Sequence, residues 1–171
     1  KKPGQFNSPT GISIDSHHHL YITDTYNHRA QKFDLQGNFL YTWGEYQPIS
    51  ITRSFFSFLF NPGAEGNFNY TTRIAVSPDD TLYVSDAYNN RVVAFSTGGE
   101  FLFQFGGVGV FPDNFRVSSG VATDKIGNLY VADFYNRRIQ MFSGKGSFLR
   151  KWGQKSTGIM QFDGPTDITV D

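Results

Sequence analysis

Hydrophobic and polar positions alternate with a period of two along runs of about five residues, and the runs return in a fixed order. Leu20-Tyr21-Ile22-Thr23-Asp24, Leu82-Tyr83-Val84-Ser85-Asp86 and Leu129-Tyr130-Val131-Ala132-Asp133 are three copies of one run. Each continues through a Tyr-Asn pair to an arginine, at Arg29, Arg91 and Arg138. A second five-residue run precedes each copy: Gly11-Ile12-Ser13-Ile14-Asp15, Arg73-Ile74-Ala75-Val76-Ser77 and Gly120-Val121-Ala122-Thr123-Asp124. Each copy closes on an aromatic run and a glycine, as in Phe39-Leu40-Tyr41-Thr42-Trp43-Gly44. One unit therefore predicts four strands: strand a over Gly11 to Asp15, b over Leu20 to Asp24, c over Arg29 to Phe33 and d over Phe39 to Trp43. The turn signals leave no long helical segment outside residues 45 to 66.

Leu82 and Leu129 stand 47 residues apart, a length that four short strands and their turns fill, while Leu20 and Leu82 stand 62 apart, so the first interval carries 15 extra residues. Four antiparallel strands per period make a β-propeller blade, and the expected fold is all-β. The blades are placed at about residues 4–44, 66–106 and 115–153, with an insertion at about 45–65 and the start of a fourth blade at about 158–171. In that last piece Asp167-Ile168-Thr169-Val170-Asp171 repeats strand a. Three blades and one strand do not close a ring, so the sequence reads as an incomplete propeller, a segment of a longer chain.

The recurring phrase resembles the NHL repeat: Gln5-Phe6-Asn7-Ser8-Pro9-Thr10-Gly11 and Gln161-Phe162-Asp163-Gly164-Pro165-Thr166 match its opening, and the Asp, Asn and Arg positions and the closing Phe-Leu and Gly match the remainder. The resemblance implies a β-propeller, commonly six-bladed, and covers nearly the whole chain except the insertion. It departs at Thr71 and Ser118, where the opening proline is missing, and at Arg73 and Asp167, where a glycine is replaced.

Three sets of residues recur as a triad: Asp24, Asn27 and Arg29; Asp86, Asn89 and Arg91; Asp133, Asn136 and Arg138. The aspartate ends strand b, the asparagine suits the left-handed backbone of a tight turn, and the arginine returns five residues later as a charge-assisted partner. A device repeated in every blade belongs to the fold rather than to a single active site. Phe39, Tyr41 and Trp43, like Phe101, Phe103 and Phe105, are expected on one face of strand d, and with 18 phenylalanines and 17% aromatic residues they supply inter-blade packing despite 39% hydrophobic content.

The b–c and d–a connections emerge on one face of a propeller, which puts Tyr26, Tyr88 and Tyr135 beside the insertion. That insertion, with Arg53, Phe55, Phe56 and Phe58, is too apolar for a solvated loop and too short for a membrane span. It either folds over its own blade or presents an aromatic patch to another chain. These seven residues are the expected binding residues, and a protein partner or further blades of the same protein the expected occupants.

Net charge is zero, with 15 basic and 15 acidic residues, yet Phe134 to Phe162 holds Arg137, Arg138, Lys145, Arg150, Lys151 and Lys155 and no acid. A basic third blade admits a nucleic-acid partner, ranked below a protein. His17-His18-His19 fall in the a–b turn, where only His17 and His19 point the same way, so no metal site and no cofactor is expected. The absence of cysteine removes disulfides and thiolate chemistry. Asn69-Tyr70-Thr71 is a glycosylation acceptor pattern, and an extracellular or cell-surface setting is favoured over a cytoplasmic one without being assigned. The amidating lyases that cleave peptidyl-hydroxyglycine are similar propellers with a zinc site, but their histidine ligands have no recognisable match here, and no Gly-x-Ser-x-Gly elbow occurs. The expected function is a non-enzymatic protein-binding scaffold. The alternatives are an RNA-binding propeller, as resemblance to tripartite-motif proteins implies, and a lyase or hydrolase whose active site lies mainly on other blades.

Overall fold

A computed structural model describes residues 2–44, 67–153 and 161–171. Their strands form three four-stranded antiparallel sheets. The first sheet takes β1 (Pro9–Ile14), β2 (Leu20–Asp24), β3 (Arg29–Phe33) and β4 (Phe39–Trp43) in order, and the second β5 (Thr71–Val76), β6 (Leu82–Asp86), β7 (Arg91–Phe95) and β8 (Phe101–Gly106). The third takes β9 (Ser118–Thr123), β10 (Leu129–Asp133), β11 (Arg138–Phe142) and β12 (Phe148–Trp152). Each sheet is a propeller blade. Helix among the described residues is limited to 3-10 turns at Thr25–Asn27 and Ala87–Asn89.

The first strand of each blade starts earlier and stops sooner than its pattern predicts. Asp15 leaves β1 because its carboxylate turns back to accept the backbone N–H groups of His17 and His19, at 2.9 and 2.7 Å. Strands β1, β5 and β9 pack side by side, so the first strand of every blade is innermost. They approach to backbone contact: a methyl group on Gly11 would lie 2.9 Å from the Cα of Arg73.

Apolar side chains fill the seams between blades. Tyr21, Ala30 and Trp43 of the first blade pack on Ile74, Leu82, Val84, Val93 and Phe95 of the second, beneath Phe68. Ala75, Tyr83, Val92 and Ala94 of the second pack on Phe115, Val121, Leu129, Val131 and Phe142. Each fully buried Leu or Phe here contributes about 2–3 kcal/mol of transfer free energy.

The expectation that Phe101, Phe103 and Phe105 share one face is corrected. Phe101 packs with Phe95 in the first seam, whereas Phe103 and Phe105 pack in the second. The cause is a β-bulge: Ala94 pairs with Phe103 and Phe95 with Phe101, so Leu102 is an extra residue that reverses the alternation. The same register shift separates Phe39 from Tyr41, where Lys32 pairs with Tyr41 and Phe33 with Phe39.

The expected strand at Asp167–Asp171 is absent, since a ladder needs a neighbouring strand and none among the described residues pairs with it. Residues 161–171 nonetheless dock on the third blade as their siblings do. A methyl group on Gly153 would lie 2.6 Å from the Phe162 ring, as one on Gly106 would from Phe115. Ser119 Oγ donates to the Pro165 carbonyl at 2.6 Å. Arg73 Nε pairs with Asp167 Oδ2 at 3.0 Å, so the two positions where charge replaces the repeat's glycine are joined to each other.

Candidate functional site

The b–c turn is built around a buried carboxylate. Asp24 ends β2 opposite Arg29, its register partner at the start of β3. Its Oδ2 accepts from Arg29 Nε at 2.8 Å, Asn27 Nδ2 at 2.8 Å and Gln31 Nε2 at 3.2 Å, and its Oδ1 accepts the Asn7 N–H at 2.6 Å. Asp86 receives Arg91 Nε at 2.7 Å, Asn89 Nδ2 at 2.8 Å and the Asn69 N–H at 2.7 Å. Asp133 receives Arg138 Nε, Asn136 Nδ2, Gln140 Nε2 and the Arg116 N–H. All three carboxylates are fully buried. Burial pushes the Asp86 carboxyl up, and the Arg91 guanidinium, the Asn69 N–H and the Asn89 amide oppose it. The outer guanidinium nitrogens bind carbonyls of the connection that precedes each blade, such as Lys2 and Gln5 for Arg29 and Asn67 for Arg91. Each triad thus ties a b–c turn to a connection, and its groups are consumed in doing so.

What the triads hold up is a row of tyrosines. Tyr26, Tyr88 and Tyr135 occupy the same place in their turns and are 52, 56 and 63% exposed. Tyr70, from the connection entering the second blade, stands between two of them. Its ring lies parallel to Tyr88 at 4.6 Å and edge-on to Tyr26 at 5.3 Å. Hydrogen bonding to Tyr26, then burial, pushes its phenol up to about 12. Its backbone is left-handed, φ 65°, as are the equivalent Ser8, Val117 and Gly164 at 57°, 66° and 74°. The Tyr70 N–H donates to His28 Nδ1, and the Val117 N–H to Asn90 Oδ1, each at 2.9 Å across a seam. The structure therefore brings Tyr26 and Tyr88 together through a residue that the sequence pattern does not single out. Its only signal is an aromatic at a register position held by Ser8, Val117 and Gly164 elsewhere. Tyr135 stays apart and packs edge-on against Phe134 at 4.8 Å. Arg53, Phe55, Phe56 and Phe58 lie outside the described residues, as does Lys155. Arg150 and Lys151 sit on β12, the outermost strand, with Arg150 over the Trp152 ring.

The histidines lie in the a–b turn, at the opposite end of the strands. His19 Nδ1 meets Asp15 Oδ2 at 2.9 Å and His17 Nδ1 meets Asp80 Oδ2 of the second blade at 3.4 Å, so each ring faces a different carboxylate. Among the described residues no three His, Cys, Asp or Glu side chains converge on a metal position. Burial pushes the Asp15 carboxyl up, but hydrogen bonds from the His19 N–H, Tyr21 Oη and the His19 ring outweigh it and hold it at about 2. No helix among the described residues is long and apolar enough to cross a membrane.

The NHL repeat family model matches residues 6–33 and 68–95, which run through strand c of the first two blades. These are NHL repeats. Peptidylglycine alpha-amidating monooxygenase of Rattus norvegicus is 34% identical over 104 residues, 59% of this chain and 10% of that protein. Protein brain tumor of Drosophila melanogaster is 25% identical over 105 residues, 60% of this chain and 9% of that one. The chain thus spans about a tenth of these relatives. Among solved structures, streptogramin B lyase superposes with a TM-score of 0.62 over 94% of this chain and 44% of that one, at 15% identity, a likeness of fold alone. The expectation of a protein that is not an enzyme is overturned here: the chain is similar in sequence to an amidating monooxygenase, and NHL blades like these occur in enzymes as well as in other proteins.

Proposed function

We propose that the face carrying the b–c turns and d–a connections recognises a peptide or protein ligand, with Tyr26, Tyr70 and Tyr88 as its central contact. The observation that carries this reading is the strip itself: three rings in a row, Tyr70 touching Tyr26 on one side and Tyr88 on the other, with Tyr26 and Tyr88 more than half exposed, on backbone fixed by buried triads. Large aromatics on a preorganised frame are what binding hot spots are made of. The Tyr26 and Tyr88 N–H groups donate to the carbonyls of Asn7 and Asn69, so uncharged polar residues stand beside the strip.

A random peptide library panned over the full chain tests it. Peptides recovered by the native protein are expected to lose about 2 kcal/mol, roughly thirtyfold in Kd, when Tyr88→Ser removes one anchor, while the melting temperature stays nearly unchanged. Recovery of single-stranded oligonucleotides and of no peptides would select the RNA reading instead.

Action on a bound peptide is the second reading, favoured by the 34% identity to an amidating enzyme. Incubation with a peptidylglycine and mass analysis for the amide tests it, and turnover would place chemistry beside recognition.

A further inference from the structure

Repetition marks the devices that hold a blade together, so departures from it mark what the fold does not require. The residue whose backbone N–H donates to the triad carboxylate is Asn7 in the first blade, Asn69 in the second and Arg116 in the third. The left-handed residue closing the b–c turn is not the expected Asn27, Asn89 or Asn136, whose amides bond the triad carboxylate instead, but the residue that follows: His28, Asn90 and then Arg137. The third blade carries a cation at both positions. The Arg116 side chain is exposed, and its guanidinium has no hydrogen bond or ion pair among the described residues. Arg137 Nη2 reaches Asp163 Oδ1 at 3.2 Å, but that carboxylate is 90% exposed, and such a pair holds little in water. Arg116 and Arg137 line one cavity of about 380 Å³ with Val110, Tyr135, Asn136 and Arg138. Arg138 is already spent on Asp133 and the carbonyls of Val110, Phe111 and Asn114.

The loop beside this cavity is rigid in its main chain and open in its side chains. Phe115 N–H donates to the Gly107 carbonyl and Gly109 N–H to that of Phe115, while Asn136 Nδ2 holds the Gly109 carbonyl and the Asp113 N–H donates to Gln140. Yet Val108, Val110 and Phe111 are 67, 56 and 74% exposed. In the first blade the carbonyl held by the triad arginine at the position of Phe111 is that of Lys2, so the triad does not require an apolar residue there. Apolar side chains on a stapled loop are preorganised for contact.

We infer that this cavity takes a carboxylate-bearing peptide segment of a partner, an Asp or Glu side chain between Arg116 and Arg137, with a neighbouring apolar side chain on Phe111, Val110 and Tyr135. The inference deepens the reading of this face as a peptide-recognition surface and rests on it. Two cations at one point match one carboxylate, whereas a nucleic-acid strand needs positive charge along its track. Among the described residues that track is missing: the same positions in the neighbouring blades are Asn7, Asn69, His28 and Asn90, and Asp163 stands against Arg137 at the cavity.

The test uses peptides recovered from the random library on the full chain, measured by fluorescence anisotropy at low and high salt. The expected result is enrichment of Asp or Glu beside a bulky apolar residue, with binding roughly tenfold weaker to Arg116→Asn and to Arg137→Asn and further weakened by salt in the native protein. Both substitutions install a residue that a sibling blade carries, so the fold accommodates them; Phe111→Ser is expected to weaken the same peptides without altering the salt dependence. Peptides lacking an acidic residue, or binding unchanged in both arginine variants, overturn the inference. So does an oligonucleotide whose binding Arg116→Asn abolishes. Loss through Tyr88→Ser with both arginine variants unaffected keeps the recognition face and removes this site.

Discussion

A buried aspartate is a liability that each blade answers with an arginine. In the second blade both partners are almost fully sequestered, Arg91 at 1% and Asp86 at 0% exposure. Arg91→Ala strands that carboxylate and also frees Gln104 and the Asn67 carbonyl, so it is expected to cost about 3–5 kcal/mol in urea unfolding, against under about 1 for Arg116→Ala, whose side chain makes no bond among the described residues. Equal losses would remove the structural role of the triad. Asp15 supplies a pH test of a different sign from a histidine switch. Its folded value of about 2 lies below the ordinary 3.8, so the group stabilises the fold above the unfolded value, and the contribution, roughly 2 kcal/mol, is lost as pH falls through the folded one. Asp15→Asn should therefore destabilise by about that amount at neutral pH and by progressively less between pH ~4 and ~2. The triads are legible in the sequence because their members lie within six residues of one another. Tyr70 is not, because its left-handed backbone and its place between Tyr26 and Tyr88 arise only when two blades dock.

Strand periodicity locates all four strands of a blade, and the bulge shows where periodicity alone fails. The sequence Phe101-Leu102-Phe103 looks like strict alternation, and one extra residue sends its two rings into different seams. Nothing local marks that insertion, since it is set by pairing with Ala94 and Phe95 across the turn. The inner strands impose a second constraint that periodicity does not carry. Gly11→Ala would drive a methyl group against the Thr23 hydroxyl and the Arg73 backbone, and an overpacked contact of this kind costs typically about 1–3 kcal/mol. Hydrogen exchange should show the loss concentrated in β1 and β5; uniform protection would argue that the first seam has no such close approach.

At the scale of the molecule, one residue type meets two fates. Ile74 is buried at 5% in the first seam, while its register mate Ile12 is 64% exposed and Ile14 48%, because no other described blade packs on that side of the first. An apolar blade face of this kind drives association. Sedimentation should show self-association of the chain, reduced by Ile12→Lys together with Ile14→Lys; an unchanged profile would mean that other surfaces are responsible. The repeat makes the fold legible almost entirely, and the candidate site only where it coincides with the repeat, in Tyr26, Tyr88 and Tyr135. Ser8, Tyr70, Val117 and Gly164 share one backbone conformation with four unrelated side chains. That conformation is fixed by the docking of successive blades, so the frame is indifferent to what the position displays. Such a position behaves as a socket: a propeller can exchange the group it presents to a ligand, ring for hydroxyl or for nothing, without altering how its blades assemble.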